Sequence, residues 1–323
     1  MEVRSPVKVL VTGATGFVGR ALLAHLQAQR QFEVRAAVRP AAVERLPATT
    51  QYVLVGDLDA DTDWQAALVG VDAVVHLAAR VHVMHELAVD PLHAYRQINV
   101  AGSVRLAQMA VQAGVRRMVY VSSIKVNGEA TADRQAFSET SPCTPQDAYS
   151  VSKLETEQAL RALGQAQGLE LTILRPPLVY GHGVGANFAA LARAVASGVP
   201  LPLGCIDNQR SLLAVDNLVD LITTCLTRPA AAHQTFMVSD GEDLSTTELV
   251  RRIAIAMDRS VVLLPVPGWM LLAGASLLGR QATAQRLCGN LQVDSRKART
   301  LLDWTPPVDV DEGLRRALMD YRP

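Results

Sequence analysis

A β-branched run from Val7 to Thr12 ends in Gly13-Ala14-Thr15-Gly16-Phe17-Val18-Gly19 and passes at once into an amphipathic helical pattern. Each glycine answers a separate steric demand. Gly13 permits the tight turn, Gly16 lets the backbone approach a ligand, and Gly19 lets the helix lie close to the strand. The first N–H groups of that helix and its positive end then face outward, an arrangement suited to a diphosphate. A glycine triplet alone is a weak signal; strand before, helix after and a place near the start of the chain strengthen it.

The rest of the first half repeats this alternation. Strands are expected at Val7–Thr12, Glu33–Val38, Gln51–Val55, Ala73–Leu77, Met118–Ser122 and Leu171–Leu174, with helices near 17–29, 62–69, 91–113 and 145–166. That order predicts an α/β fold, a doubly wound parallel sheet covered on both faces. For the helix before Tyr149, Thr144 is the expected N-cap, with Pro145 in the first turn and Asp147 as the capping acid. After Arg175-Pro176-Pro177 the elements shorten, so the division is expected there: residues 1–175 for the dinucleotide and 176–323 for the substrate. Further helices are expected near 187–197, 216–227, 245–257, 269–278 and 311–321, and one element near Gln234–Ser239 is expected to return to the sheet.

With 31 basic and 31 acidic side chains, the 323-residue chain has zero formal net charge. Gripping a polyanion by charge is therefore excluded, and with it nucleic acid as a partner. Aromatics at 4% are too few for a base-stacking platform. The four cysteines, Cys143, Cys205, Cys225 and Cys288, match no disulfide or metal spacing. His82, His85 and His93 lack the spacing and acidic partners of a metal site, so no metal is expected. The early first strand leaves no space for a signal peptide, and a cytoplasmic location is expected. Val261 to Gly279 carries no charge, but Pro265 and Pro267 interrupt it and leave a helix too short to span a bilayer. That helix is expected to pack in the core or line a pocket, with peripheral membrane contact as the other reading.

The loop spacing is GxxGxxG rather than GxGxxG, and with TGATGFVG it resembles the extended short-chain dehydrogenase/reductase family. Gly56-Asp57-Leu58, His76-Leu77-Ala78-Ala79 and Asn99 resemble further motifs of that family, as do Arg175-Pro176-Pro177-Leu178-Val179-Tyr180-Gly181 and Asp294 to Trp304. The resemblance thus spans nearly the whole chain. It implies NAD(P) held by Gly13, Thr15, Gly16, Phe17, Val18, Asp57, Leu58, Leu77, Ala78, Ala79, Asn99, Lys153 and Pro176. It also implies a homodimer through the helices near 91–113 and 145–166. The second strand ends at Arg39 without an acid. A guanidinium there suits a 2′-phosphate, which favours NADP(H) over NAD(H); the other reading of Arg39 is stacking on adenine or plain solvation.

Tyr149 and Lys153 stand four apart, on one helical face. A phenol with a pKa near 10 becomes a useful base at neutral pH only beside positive charge, which Lys153 and an oxidised nicotinamide can supply. Ser123, five positions before Gly128 at the end of the fifth strand, is the expected partner of the substrate oxygen, with Ser122 the adjacent alternative. Relatives that dehydrate the sugar carry an Asp-Glu pair where Ile124 and Lys125 stand, so a 4,6-dehydratase is disfavoured. Asn127 replaces a tyrosine and should reshape the substrate side. Lys125 either reaches a substrate oxygen or is solvated. By resemblance, Asn187 and Arg210 bind the diphosphate of a nucleotide sugar, although Arg210 could instead pair with Asp216.

Four activities follow. The first is a 4-keto reductase of a UDP-linked hexose for surface polysaccharide precursors, favoured by Arg39. The second is a 4-epimerase with retained NAD. A reductase of an apolar carbonyl substrate is the third, weakened because Asn187 and Arg210 would be left without an anion. A cofactor-sensing protein without catalysis is the fourth, weakened by the presence of both Tyr149 and Lys153.

Overall fold

The computed structural model describes residues 5–81, 89–132, 135–277, 279 and 281–319. Among the described residues there are ten strands: β1 (Val7–Thr12), β2 (Phe32–Val38), β3 (Gln51–Leu54), β4 (Ala73–His76), β5 (Arg117–Val121), β6 (Glu170–Arg175), β7 (Leu178–Tyr180), β8 (Arg210–Ala214), β9 (Thr235–Met237) and β10 (Asp243–Leu244). Seven of them form one sheet in the order β3-β2-β1-β4-β5-β6-β9, and every neighbouring pair is parallel. The chain starts in the middle of this sheet, runs to one edge, then crosses to the other side. Ligands of such sheets bind at the strands' carboxyl ends, where that crossing opens a crevice.

β1 shows why the strands are apolar on both faces. Val9 and Val11 pack with Leu22, Leu23 and Leu26 of the helix Phe17–Gln27, whereas Leu10 joins Val74, Met118, Leu106 and Leu160 on the opposite side. Alternate side chains point oppositely, and helices cover both layers, so no position can be polar without a partner. A smaller sheet, β10-β8-β7, backs a second core with helices Ala186–Ala196, Thr246–Ala256 and Val310–Leu318.

The second half does not stay apart from the first. Leu218, Leu221 and Ile222 of the helix Val215–Thr227 bury with Leu22 and Leu26, and Ala298, Leu302 and Trp304 enter the same core. The helix Arg296–Leu302 and a further one at Gln281–Cys288 have no counterpart in the sequence pattern.

Three other expectations are corrected. The single helix near 91–113 is three pieces: α-helix Pro91–Tyr95, a π-helical segment Arg96–Gly102, and α-helix Ser103–Gln112. The N-cap of the helix Ala148–Gln167 is Asp147, not Thr144. The Asp147 carboxylate accepts from Ser150 N while the Ser150 hydroxyl answers Asp147 N, and Thr144 instead donates to the Asn127 carbonyl. Last, the apolar helix Gly268–Leu277 buries no residue; Trp269 is 71% exposed and Leu277 89%. An apolar helix without a polar face carries no signal of which side must be hidden, so composition could not locate it. Among the described residues no helix is long and apolar enough to cross a membrane.

Candidate active site

The glycine loop meets its steric demands in detail. Gly13 has φ +68°, and a Cβ there would stand 2.7 Å from Ala78 N; one on Gly19 would stand 2.1 Å from Gly13 O. Both positions must be glycine. Gly16 is exposed and closes the turn by donating to Gly13 O. As N-cap of the helix Phe17–Gln27 it has no side chain to satisfy the first N–H groups. Thr15 is half-buried at the lip, while Phe17 and Val18 turn partly into the core. The loop therefore offers a backbone cradle that fits a diphosphate. Leu77, Ala78 and Ala79 line its other side, half-buried after β4.

Beneath the cradle lies a buried polar chain. Ser103 Oγ donates to the Asn99 carbonyl, so the His76 Nε2 hydrogen is directed at Ser103 Oγ at 2.7 Å. His76 Nδ1 then accepts from the Thr12 hydroxyl at 2.7 Å, which itself accepts from Ala78 N. Burial, helped by the charge of Lys153, drops the His76 pKa to about 3, so the ring is a neutral strut.

Asn99, expected at the cofactor, completes this chain. Its Oδ1 accepts from Arg80 N at 2.7 Å, and its Nδ2 donates to Arg80 O and to Ser152 Oγ. Every donor of this side chain is spent, and it is 1% exposed. Asn99 positions the loop after β4 against the helix bearing Tyr149. Its carbonyl, inside the π-helical segment, accepts from Thr156 Oγ1 as well as Ser103. The wider π turn supplies that bifurcated acceptor, as such segments do at functional sites.

Ser123, at the end of β5, caps a short turn over Ile124–Val126. Its hydroxyl accepts from Lys125 N at 3.2 Å and acts on the Tyr149 phenol to lower its pKa. Ser122, the alternative, is 4% exposed with its hydroxyl lacking a partner. The chain's own groups push the Tyr149 pKa up to about 12, through burial first, then the negative charge of Asp147. Burial likewise lowers Lys153 to about 7, opposed by Glu157; its Nζ donates to Val121 O at 2.7 Å and sits 4.3 Å from the Tyr120 ring centre. Among the chain's own groups it is the Ser123 hydroxyl that works to lower the phenol. A lysine brought to about 7 carries only part of its charge near neutral pH.

Two ionic struts fix this pair. Lys125, expected at a substrate oxygen or in solvent, is instead held by Glu129 Oε1 at 2.7 Å and Asp147 Oδ2 at 2.8 Å. Although burial works against it, those bonds hold its pKa above the usual lysine value. Lys125 thus ties the Ser123 turn to the residue that caps the Tyr149 helix. The second strut is fully buried. Arg175 Nε donates to Glu157 Oε1 at 2.9 Å, and Arg175 Nη1 to Asn127 Oδ1 at 3.0 Å. Asn127 Nδ2 in turn serves the carbonyls of Ser141 and Pro142. Asn127 is thus a buried bracket, not a reshaped substrate wall. Pro176, also buried, accepts from Ile124 N.

At the adenine end, Arg39 Nη1 pairs with Asp57 Oδ1 at 3.0 Å, both exposed. Asp57 O accepts from Thr62 Oγ1, and Leu58 packs against Gly102, where a Cβ would stand 2.6 Å from Leu58 Cγ. On the substrate side, Asn187 is exposed near the start of the helix Ala186–Ala196. Arg210 is half-buried and donates to Gly289 O at 3.0 Å. Its alternative partner Asp216 is taken by Arg316. Among the described residues no carboxylate pairs with Arg210, and Arg286 adds a second positive charge nearby. Arg286 had no motif to announce it. Beside Arg210, Ser211 Oγ donates to Asp243 Oδ1 across the strand pair. His82 and His85 lie outside the described residues; among these no group of histidines, cysteines and acids could hold a metal ion.

The chain is similar to known proteins over nearly its whole length. Residues 9–239 match the NAD dependent epimerase/dehydratase family. A UDP-glucose 4-epimerase from Vibrio cholerae is 44% identical over 319 residues, covering 98% of this chain and 96% of that protein. An N-acetyl-alpha-D-glucosaminyl-diphospho-ditrans,octacis-undecaprenol 4-epimerase from Escherichia coli O157:H7 is 28% identical, covering 96% and 94%. In fold, the chain superposes with TM-score 0.76 on a UDP-glucose 4-epimerase from Thermus thermophilus in complex with NAD, at 24% identity and covering 97% and 98%.

Proposed function

The chain belongs to the NAD dependent epimerase/dehydratase family, and on that premise we propose that it is a nucleotide-sugar 4-epimerase working with NAD on a UDP-linked hexose. The observation that supports the chemistry is the Tyr149 phenol, on which the Ser123 hydroxyl after β5 acts to lower the pKa, with Lys153 one turn further on the same helix. The V. cholerae relative favours epimerisation over the 4-keto reduction that Arg39 suggested. Arg39 itself weakens the case for NADP. Its partner Asp57 would repel a 2′-phosphate, whereas a ribose 2′-hydroxyl meets no such charge.

Gly13, Gly16 and the first turn of the helix Phe17–Gln27 would hold the cofactor's diphosphate, with Leu77, Ala78, Ala79 and Lys153 beside its nicotinamide half. NAD bound there supplies a reversible hydride acceptor and a positive charge near the phenol. Tyr149 takes the proton of the sugar C4 hydroxyl and later returns it, and Ser123 holds that oxygen in line. Arg210, with Arg286 near, meets the UDP diphosphate as a bidentate donor. Asn99, Lys125 and Glu157 keep the serine turn, the loop after β4 and the tyrosine helix in register.

The test is direct. Purified protein mixed with UDP-glucose or UDP-N-acetylglucosamine, without reductant, should interconvert each with its C4 epimer and consume no cofactor. Stoichiometric oxidation of NADPH with a UDP-4-keto-6-deoxy sugar, and no interconversion, would restore the reductase.

A further inference from the structure

An ammonium keeps its charge beside a carboxylate or in water, and Lys153 has neither. It is 2% exposed, and its Nζ donates to Val121 O at 2.7 Å. Glu157, one turn on along the same helix, acts on it from that distance. That carboxylate is already bound by Arg175 and Arg161. Among the described residues no carboxylate pairs with the Lys153 ammonium.

What does face the ammonium is an aromatic ring. Lys153 Nζ lies 4.3 Å from the ring centre of Tyr120, a residue of β5 that is itself 1% exposed. The face of such a ring is the negative part of its quadrupole, and its attraction for a cation strengthens as water is excluded. Neighbouring groups do not compete for it. His76 on β4 stacks with Tyr120, the ring centres 5.6 Å apart, and its pKa of about 3 keeps it neutral. Tyr149, one turn back on the lysine's own helix, is neutral as well.

We propose that Tyr120 is a positioning residue, its ring face keeping the buried Lys153 ammonium charged where no carboxylate is free to do so; this rests on Tyr149 and Lys153 being the acid–base pair. A ring suits that place better than an acid. A carboxylate beside Lys153 would also set a negative charge near the phenol and oppose its ionisation, whereas a ring attracts the cation and carries no net charge.

Fluorine drains the ring face of negative charge while nearly keeping its shape. Tyr120→Phe is therefore compared with proteins that carry monofluorinated or trifluorinated phenylalanine at position 120, each checked by thermal unfolding. The chain has four lysines, Lys8, Lys125, Lys153 and Lys297, so carbon-13 at the lysine Cε gives a sparse NMR spectrum. Lys153→Met identifies the Lys153 signal, and Lys297, which lies over Phe236, is the internal control. Wild type should titrate at or above about 7 at Lys153, and Tyr120→Phe should leave that midpoint in place. The trifluorinated ring should lower it by about one to one and a half pH units, the monofluorinated ring by less, with Lys297 unmoved. The charged form is lost as pH rises through the midpoint, so the alkaline limb of kcat for UDP-glucose should move down by the same amount. An unchanged midpoint on fluorination overturns the proposal whatever the turnover, as does a fall at Tyr120→Phe with no further step. A shifted midpoint in protein that interconverts no UDP-sugar would leave the hold of Tyr120 on Lys153 standing and refute the epimerase reading instead.

Discussion

The two ends of this molecule treat polarity in opposite ways. Around Tyr149 the interior is charged and polar, yet each strut is paired: Glu157 with Arg175, Arg175 with Asn127, Asn99 with Arg80 and Ser152. At the helix Gly268–Leu277 the surface is apolar and exposed. Each inverts the usual rule of apolar inside and polar outside. The buried end spends polar groups on holding two hydroxyls in register; the exposed end leaves apolar groups unspent.

That contrast breaks most readily at Glu157. Removing one partner of a buried ion pair leaves the other charge stranded, so Glu157→Ala should cost about 3–5 kcal/mol in urea unfolding. A cost below about 1 kcal/mol would mean that water reaches Arg175 and that the strut is superficial. His76 sharpens the comparison through pH. Its folded pKa of about 3 lies below the unfolded 6.5, so between those values the unfolded chain binds more protons and stability falls as pH falls. At pH 5 the loss is about 2 kcal/mol. Asp240, raised to about 6 by burial, acts in the opposite sense. The His76 share is therefore read as the difference between wild type and His76→Gln across pH 7 to 4. Parallel curves would contradict a neutral buried ring. The smallest effect belongs to the other end, where Trp269→Ser should change stability by less than about 0.5 kcal/mol, since the side chain is mostly in water already. A larger loss would show that the helix is packed more tightly than its exposure indicates.

What could be read in the sequence was local. The glycine loop, the four-residue spacing of Tyr149 and Lys153, and the strand alternation are all short-range patterns that sterics or periodicity enforce. The partners were not local. Lys125 meets Asp147, Asn99 meets Ser152 and Arg175 meets Asn127 across long stretches of chain, so nothing beside these residues distinguishes a strut from a ligand contact. The same limit concealed the neutralising of Arg39 by Asp57, and with it the weaker case for a 2′-phosphate. The direction of the Tyr149 pKa escapes the sequence for a related reason: spacing gives the neighbour, but burial decides whether that neighbour keeps its charge.

The proton at Tyr149 bears the weight of the catalytic account. Tyr149→Phe removes one oxygen and leaves the ring's contact with Tyr95 in place. Measured with UDP-glucose under saturating conditions, its kcat should drop by about 10²–10⁴-fold, with the wild-type unfolding midpoint and cofactor content. Turnover within a few-fold of wild type would contradict the assignment and move the acid–base role to another group.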